Sequence, residues 1–381
     1  MTNSQPATVR GATPWPRYEA AAGGLPDYWY PVAFSRNLGR RPLVLQLLGE
    51  PVMLLRDGGK AYAVRDQCPH RGVPLSLGQQ EFPCTWTCRY HGWTFDLPTG
   101  ELGAALSDGP RSAICGKVRV RTYPVEERAG LVWIYLGCGT PPPVEDDIPD
   151  ELLRQDVVVV GRISERPGNW RYAAENGWDS SHALYLHRDA WFIFFRKKPI
   201  WGMSRIAMDD DGWLTRYRTE SHFQDDYPRY GRWPKVRPWE VAGGAARVSI
   251  RLPGMLRVRY PFWTHYEWYV PLDRGHHRYL QFLVTRARGW SALEYRLRYW
   301  LYRRWLFHGQ FNDQDGWMVR LMPETGPERL FRPDASITAW RRLFDNARGA
   351  TSVPIDEASG EDEATAGANG AEVMVAIHPT L

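Results

Sequence analysis

Three of the chain's five cysteines and two of its ten histidines fall in one short stretch, residues 68–93. Cys68 and His70 form a Cys-x-His pair, Cys88 and His91 form a Cys-x2-His pair, and 17 residues separate the two pairs. Glycine and proline follow the first pair and glycine follows the second, which is typical of tight turns. We therefore expect two loops, each of which presents one thiol and one imidazole to a shared site.

Three kinds of site compete for these residues. A Cys68–Cys88 disulfide leaves both histidines unexplained and requires an oxidising compartment. A structural zinc accepts two Cys and two His, but zinc fingers commonly keep their histidines together as one pair. A Rieske [2Fe–2S] cluster binds two thiolates on one iron and two neutral imidazoles on the other. Because each loop supplies one ligand of each type, we predict a Rieske cluster on Cys68, His70, Cys88 and His91.

Composition excludes several classes of protein. The 381 residues suffice for two domains, and 48 basic against 43 acidic side chains give a formal net charge of +5. We find no long basic tract or recognition motif, so we expect no nucleic-acid partner and favour an acidic protein partner. An odd number of cysteines argues against a disulfide framework, and the polar start resembles no secretory signal. We expect a cytoplasmic protein.

The order of elements predicts an α+β fold in two domains. Short strand-like runs separated by Gly, Asp and Pro indicate an antiparallel β domain over 28–145, which contains both Cys/His loops. A proline-rich acidic connector leads to residues 146–349, where strands alternate with amphipathic helices. Residues 1–27 are predicted to form an arm and the acidic residues 350–381 a flexible tail.

The segment 290–309 is an aromatic, basic, amphipathic sequence. Its arginines and Glu294 prevent it from crossing a bilayer, so we expect no integral membrane segment. We expect this helix to pack against the body of the protein, with a membrane surface or a partner as the alternative.

A second cluster of ligand residues lies within 172–187, which we predict to be one helix. His182 and His187 are five residues apart, so slight unwinding places both rings on one face, together with Asp179. Two imidazoles and one carboxylate form the facial triad of non-haem Fe(II) oxygenases. The carboxylate must come from elsewhere, and Asp313 and Asp315 are the candidates.

"CPHRG", "CRYHGW", "ENGWDSSH" and "FNDQD" together resemble the Rieske non-haem iron ring-hydroxylating oxygenases. Within this family the chain resembles the terminal oxygenase components of carbazole 1,9a-dioxygenase, from "DYWYPVAFS" to "WRRLF", although residues 200–245 differ. The resemblance implies a helix-grip (START-like) catalytic domain and a homotrimer. It favours Asp315 as third iron ligand and Asn176 as an orienting residue. It also implies that Asp179 hydrogen-bonds an iron-ligand His of its own subunit and a cluster-ligand His of the next.

By position, the resemblance also implies a set of residues around the substrate. They are Gly177, Ala183, Leu184, Leu256, Val258, Tyr260, His265, Glu267 and Phe311. Arg257 and Arg259 are expected to point away, because neighbours on a strand alternate faces. Mostly apolar, this set favours a flat aromatic substrate.

The resemblance implies an enzyme that uses O2 and electrons from a ferredoxin or flavin reductase, ultimately from NAD(P)H. We expect dioxygenation of an aromatic or heteroaromatic substrate by a mononuclear Fe(II). The alternative with the same two metal centres is a monooxygenase or an O- or N-demethylase. A non-catalytic electron carrier and a zinc-binding interaction module are the alternatives outside it.

Overall fold

The computed structural model describes residues 14–179, 181–187, 190, 200–223, 226–227, 231–232, 247–323 and 328–349. The strands are β1 (Trp29–Phe34), β2 (Leu43–Leu47), β3 (Glu50–Asp57), β4 (Lys60–Arg65), β5 (Thr85–Thr87), β6 (Trp93–Asp96), β7 (Leu102–Ala105), β8 (Thr122–Tyr123), β9 (Val125–Arg128), β10 (Leu131–Tyr135), β11 (Val157–Pro167), β12 (Ile200–Met208), β13 (Leu214–Phe223), β14 (Asp226–Tyr227), β15 (Gly231–Arg232), β16 (Arg247–Arg251), β17 (Met255–Arg259), β18 (Thr264–Pro271) and β19 (His276–Arg286). The helices are α1 (Pro16–Ala20), α2 (Asp150–Leu153), α3 (Trp170–Trp178), α4 (Ala183–Leu186), α5 (Gly289–Arg298), a π-helix (Tyr299–Asn312), α6 (Asp313–Leu321) and α7 (Ala335–Leu343).

The first half of the chain forms three small antiparallel sheets. Their strand orders are β1-β10-β9, β2-β3-β4-β8 and β5-β6-β7. The first Cys/His loop follows β4, and the second connects β5 to β6. The predicted antiparallel β domain is therefore present, and both ligand loops lie within it.

The second half is built on one seven-stranded antiparallel sheet in the order β11-β19-β18-β17-β16-β13-β12. β11 pairs with β19 over its whole length, from Val157 opposite Arg286 to Pro167 opposite His276. Every residue of β18 is buried, because the sheet is covered on both faces. Helix α3 crosses β16, β17 and β18, and α6 and α7 pack beside it. The predicted α+β class, with helices flanking an antiparallel sheet, is confirmed.

The two halves share one hydrophobic core. The rings of Trp133 in β10 and Trp268 in β18 lie 6.2 Å apart, and those of Phe34 in β1 and Phe282 in β19 lie 5.6 Å apart. Burying a large apolar side chain contributes about 2 kcal/mol, so such contacts favour a fixed orientation of the cluster domain. The residue numbers at which we divide the domains stay predictions.

The described part of the predicted N-terminal arm is packed rather than free. Tyr18 in α1 is only 1% exposed, and the guanidinium of Arg171 lies 4.4 Å from its ring centroid. The indole N–H of Trp170 donates to the carbonyl of Ala21 at 3.0 Å. This packing was not predicted from the sequence, because the segment is mostly polar and has few apolar contacts. The predicted tail, 350–381, lies outside the described residues.

The predicted amphipathic helix at 290–309 continues without a break into α6. Helix α5, the 14-residue π-helix and α6 follow one another directly from Gly289 to Leu321. On its inner face Ala292, Tyr295 and Tyr299 pack with Val158 and Leu283 of the sheet, so the expected packing against the body is confirmed. None of the described helices is long and apolar enough to span a membrane.

Candidate metal centres and substrate pocket

Both Cys/His loops close with the same pair of backbone hydrogen bonds. In the first loop the backbone N–H of Cys68 donates to the carbonyl of Val73 at 2.8 Å, and that of Gly72 donates to the carbonyl of Cys68 at 2.8 Å. In the second loop the backbone N–H of Gly92 donates to the carbonyl of Cys88 at 3.0 Å. Gly72 has φ +77° and Gly92 φ +67°, a conformation in which glycine carries no steric penalty. The two loops are therefore equivalent turns that each return the chain after one Cys and one His.

The two thiols lie at the buried base of these loops. Cys68 is 1% exposed and Cys88 2% exposed, and both pack with Leu75, Trp86 and Phe95. Burial, together with the neighbouring Cys88 thiol, raises the pKa of Cys68 to about 11. A buried thiolate therefore needs a bound cation, such as iron, to compensate its charge. All five cysteines of the chain are free of disulfides.

The two imidazoles lie nearer to the surface. The rings of His70 and His91 are 4.6 Å apart at 61°, and His70 stacks on Trp93 at 4.6 Å. His70 is exposed, whereas the Nδ1 of His91 is buried and has no hydrogen-bond partner. A buried ring nitrogen without a partner, beside a second imidazole and two thiols, fits the donor set of a Rieske cluster.

The second predicted cluster does not lie on one continuous helix, so that expectation is wrong. Helix α3 ends at Trp178, and Asp179 is extended with ψ 136°. The Asp179 carboxylate accepts the backbone N–H groups of Ser181 at 2.8 Å and His182 at 3.1 Å. Such a side-chain turn competes with helical hydrogen bonding. His182 and His187 therefore flank the single turn of α4.

His182, His187 and Asp315 converge from two distant segments. One ligand atom from each lies within 4.8 Å of the others. The Oδ1 of Asp315 is 3.4 Å from Nε2 of His182 and 3.2 Å from Nε2 of His187. Although burial opposes ionisation, the two adjacent histidines hold the pKa of Asp315 well below its usual range. The set is a carboxylate and two imidazoles, as predicted for a facial triad.

Asp313, the alternative carboxylate, faces elsewhere. Its side chain is 46% exposed and pairs with Arg162 and, at 2.5 Å, with Arg166. Asp315 lies two residues further along α6, on the face toward the histidines. The structure thus brings Asp315, and not Asp313, to His182 and His187.

Neighbouring side chains orient the three groups. The Nδ2 of Asn176 donates to Oδ1 of Asp315 at 2.9 Å. The Oε1 of Gln314 accepts from Nδ1 of His187 at 3.0 Å, which leaves a lone pair on the buried Nε2. The ring of Phe311 stacks on His187 at 3.7 Å. Sequence reasoning missed Gln314, and its only signal was the position next to Asp315.

Asp179 contacts His182 and not His187. Its Oδ2 lies 3.3 Å from Nδ1 of His182. Burial opposes ionisation of Asp179, but the hydrogen bond and charge of His182 hold the pKa of its carboxyl below the usual range. Between the two histidines that the sequence left open, the structure gives His182 as the partner within the subunit.

Strand register brings four predicted pocket residues onto one face. Leu256 pairs with Glu267 and Val258 with His265, and directly paired residues point to the same side of a sheet. Tyr260 follows Val258 by two positions and continues that face. Ala183 lies in α4 and is partly exposed, and the side chain of Leu184 lies outside the described set.

Gly177 in α3 lies directly above this face. A Cβ at this position would lie 2.2 Å from the hydroxyl of Tyr269 and 3.1 Å from Cδ2 of Leu256. Glycine is therefore required for α3 to approach β17 and β18 this closely.

A buried polar network surrounds Glu267 on this face of the sheet. Glu267 accepts hydrogen bonds from the hydroxyl of Tyr269 and, at 2.9 Å, from Nδ2 of Asn312. The Nδ1 of His265 lies 3.5 Å from Glu267 Oε1. Burial lowers the pKa of His265 despite this carboxylate, so its ring is neutral. Its buried Nε2 has no hydrogen-bond partner.

Arg257 points to the other face of the sheet. It is 3% exposed, and its guanidinium lies 4.0 Å from the ring centroid of Trp213. Its pKa is lowered, chiefly by burial. The expectation that Arg257 points away from the substrate is consistent with this position.

Known families match about three quarters of the chain. Residues 28–124 match the Rieske [2Fe-2S] domain, and residues 135–201 and 225–351 match the homotrimeric ring hydroxylase family. The gap within the second match, residues 202–224, falls in the region that we expected to differ.

The terminal oxygenase component of carbazole 1,9a-dioxygenase from Metapseudomonas resinovorans is 33% identical over 375 residues, which cover 90% of this chain and 96% of that protein. The solved terminal oxygenase of carbazole 1,9a-dioxygenase from Nocardioides aromaticivorans IC177 has a TM-score of 0.78 at 28% identity, covering 89% of this chain and 99% of that one. A reduced complex between the oxygenase and ferredoxin of carbazole 1,9a-dioxygenase has a TM-score of 0.76 at 30% identity, covering 90% and 96%.

Fold and site together define an oxygenase with a Rieske domain joined to a ring-hydroxylase domain. The chain belongs to the Rieske aromatic ring-hydroxylating oxygenases, as a terminal oxygenase component similar to those of carbazole 1,9a-dioxygenases.

Proposed function

We propose that the chain binds a mononuclear Fe(II) through His182, His187 and Asp315 and oxygenates an aromatic or heteroaromatic substrate with O2. The observation that carries this proposal is the convergence of the three ligand atoms within 4.8 Å. The buried Nε2 of His187 supports it, because this lone-pair nitrogen faces Oδ1 of Asp315 at 3.2 Å and neither atom can donate to the other, so a metal ion between them would satisfy both. Two neutral imidazoles and one carboxylate leave coordination positions open for O2 and substrate. When bound, the iron supplies the activation of O2.

The chain's own residues prepare the site. Gln314 fixes the tautomer of His187, and Asn176 holds Oδ1 of Asp315. Partners of this kind raise ligand basicity and fix ring orientation. The Phe311 ring covers one face of His187 and excludes water from it. Cys68, His70, Cys88 and His91 would hold the Rieske cluster.

The pocket favours a flat, uncharged substrate. Leu256 and Val258 provide an apolar wall, and Arg257 faces away from them. Glu267 is occupied by hydrogen bonds to Tyr269 and Asn312. Among the residues predicted to line the pocket, His265 presents a buried ring nitrogen without a hydrogen-bond partner, which suits one polar atom in an otherwise apolar ring system. The similarity to carbazole 1,9a-dioxygenases supports an aromatic or heteroaromatic ring of that kind.

Electrons are proposed to pass between subunits through Asp179. Within one subunit its carboxylate contacts His182, while His70 is exposed on the surface of the cluster domain. Tyr90, beside His91, is 56% exposed. The cluster end of the domain is therefore open to contact with a neighbouring subunit. The match to a family of homotrimers supports a ring of three.

A ferredoxin is the proposed immediate electron donor, because a related oxygenase forms a complex with one. A reductase would supply that ferredoxin from NAD(P)H. We place the chain in the cytoplasm, where reducing conditions keep its free cysteines reduced.

The test is turnover of the reconstituted enzyme with a panel of aromatic and heteroaromatic compounds under labelled O2. Two labelled oxygens in one product support dioxygenation, and one supports monooxygenation or demethylation. Absence of labelled product from every compound, in enzyme that carries about three irons per chain and accepts electrons, would contradict the proposal.

A further inference from the structure

The helix formed by α5 and the π-helix has a second apolar face that points away from the protein. Trp290, Leu293, Leu297 and Leu301 recur at helical spacing, opposite the inward-facing Ala292 and its neighbours. Their exposed fractions are 78%, 44%, 51% and 79%. We name these four residues the outer stripe. Contiguous exposed apolar surface of this kind is uncommon on a monomer and marks an interaction site.

Two further tryptophans extend the outer stripe. Trp300 is 61% exposed and Trp305 55% exposed. The guanidinium of Arg304 lies 5.0 Å from the ring centroid of Trp300. Amphipathic aromatic rings with arginines beside them are typical of segments at a membrane–water interface.

A neighbouring hairpin contributes another exposed aromatic ring. Phe262, in the turn between β17 and β18, is 79% exposed. The next residue, Trp263, packs against Phe307 at 5.5 Å and lies 5.1 Å from the guanidinium of Arg303 in the same helix. Two separate elements therefore present apolar groups at one end of the molecule.

The charge around the outer stripe is strongly positive. Arg288, Arg296, Arg298 and Arg304 are exposed along the helix. The single acidic residue of this helix segment, Glu294, pairs with Arg298 at 2.5 Å. This excess of arginine complements an anionic membrane surface, which attracts basic residues that lie near it.

We propose that the outer stripe docks the oxygenase on an anionic membrane surface, with the helix lying in the plane of the headgroups. A second copy of the chain is the alternative occupant, and the mass of the stripe variant in solution tests it. Peripheral attachment of this kind requires no membrane-spanning segment. It would place the enzyme where apolar aromatic compounds concentrate. The inference is independent of the proposed substrate and of the iron ligands.

The test is cosedimentation of the full-length holoenzyme with vesicles of phosphatidylcholine alone or of phosphatidylcholine mixed with phosphatidylglycerol. We expect binding to the anionic vesicles, weakened by salt, and at least about tenfold weaker binding to neutral ones. Trp290→Ser/Leu301→Ser should weaken binding about tenfold or more. Val44→Ser/Met208→Ser, which removes two apolar groups of 51% and 52% exposure elsewhere, should bind as wild type does.

Light scattering of the same variants separates the lipid surface from a protein partner. The outer-stripe variant should retain the wild-type mass, iron content and visible spectrum. Loss of the oligomer in this variant would show that a second copy covers the stripe and would overturn the proposal. Absence of binding to anionic vesicles, or equal binding by the stripe variant and wild type, would overturn it too.

Discussion

The Oδ2 of Asp179 lies 3.3 Å from Nδ1 of His182, at the point where helix α3 ends. The same carboxylate accepts two backbone N–H groups and is largely buried, so its position is fixed by three contacts. It therefore holds the tautomer of one proposed iron ligand and forms the proposed electron path to the next subunit.

Asp179→Asn is expected to retain the cluster and the iron but to lower turnover by about 10- to 100-fold or more. The amide keeps the shape but lacks the negative charge that the carboxylate places beside Nδ1 of His182. Stopped-flow reduction should show normal reduction of the cluster and slow transfer to the iron site. Asp345→Asn, a surface change, is the control. Full turnover by Asp179→Asn would contradict the proposal that electrons pass between subunits through Asp179.

Asp315→Ala and Asp313→Ala form a matched pair that tests the third ligand. Asp315→Ala should lower iron from about three to about two per chain, because the cluster is retained and the mononuclear ion is lost. Asp313→Ala should keep all its iron and lose less than about 1 kcal/mol of unfolding free energy, since its ion pairs are partly exposed. Iron and acid-labile sulfide assays distinguish the two. The opposite pattern would assign the ligand to Asp313.

Much of the fold and of the site was predictable from local pattern. The Cys/His spacing indicated two equivalent loops, and the structure has them, because tight turns depend on nearby glycines such as Gly72 and Gly92. Antiparallel strands were likewise visible as short apolar runs between turns. These features depend on residues close in sequence.

The contacts that sequence reasoning missed depend on distant residues or on competing local bonds. Gln314 is an ordinary polar residue until the fold brings it to His187. The break after Trp178 arises because Asp179 bonds the backbone ahead of it, which the periodic pattern did not show. The outward face of the 290–309 helix was undetermined, since an amphipathic pattern does not reveal which of two apolar faces is covered.

Gly177→Ala is expected to disturb the proposed substrate pocket, although Gly177 is not one of the proposed iron ligands. The new Cβ would lie 2.2 Å from the hydroxyl of Tyr269, so α3 or Tyr269 must move. We expect a loss of about 1–3 kcal/mol in unfolding free energy and a raised KM. Gly103→Ala, where nothing lies within 4 Å, is the control. Denaturant unfolding and steady-state kinetics measure both effects; equal behaviour of the two variants would contradict the close approach.

Glu175 and Arg341 connect α3 to α7 through a buried pair, with Nε–Oε1 at 2.7 Å and exposed fractions of 8% and 4%. Glu175→Ala should lower the unfolding free energy by about 3–5 kcal/mol, because among the described carboxylates Arg341 then pairs with the half-exposed Glu328 alone. Glu294→Ala breaks an exposed pair and should cost about 0.5 kcal/mol or less. Urea titration compares them. A small loss for Glu175→Ala would mean that α3 is held by packing alone.

The buried His277 is expected to make the unfolding free energy depend on pH. Burial lowers its pKa to about 4 from 6.5, and its Nδ1 bonds the carbonyl of Gly168 at 2.8 Å. Between about pH 6.5 and pH 4, His277 is therefore protonated in the unfolded chain but neutral in the folded chain. The contribution of His277 to the unfolding free energy is therefore fully present above pH 6.5. It falls by about 3 kcal/mol as the pH drops through this window. His277→Gln should flatten that part of the profile, whereas His276→Gln, at an exposed position, should not. Urea midpoints from pH 4 to 8 measure the slope, and parallel profiles for wild type and His277→Gln would assign the acid sensitivity to other groups.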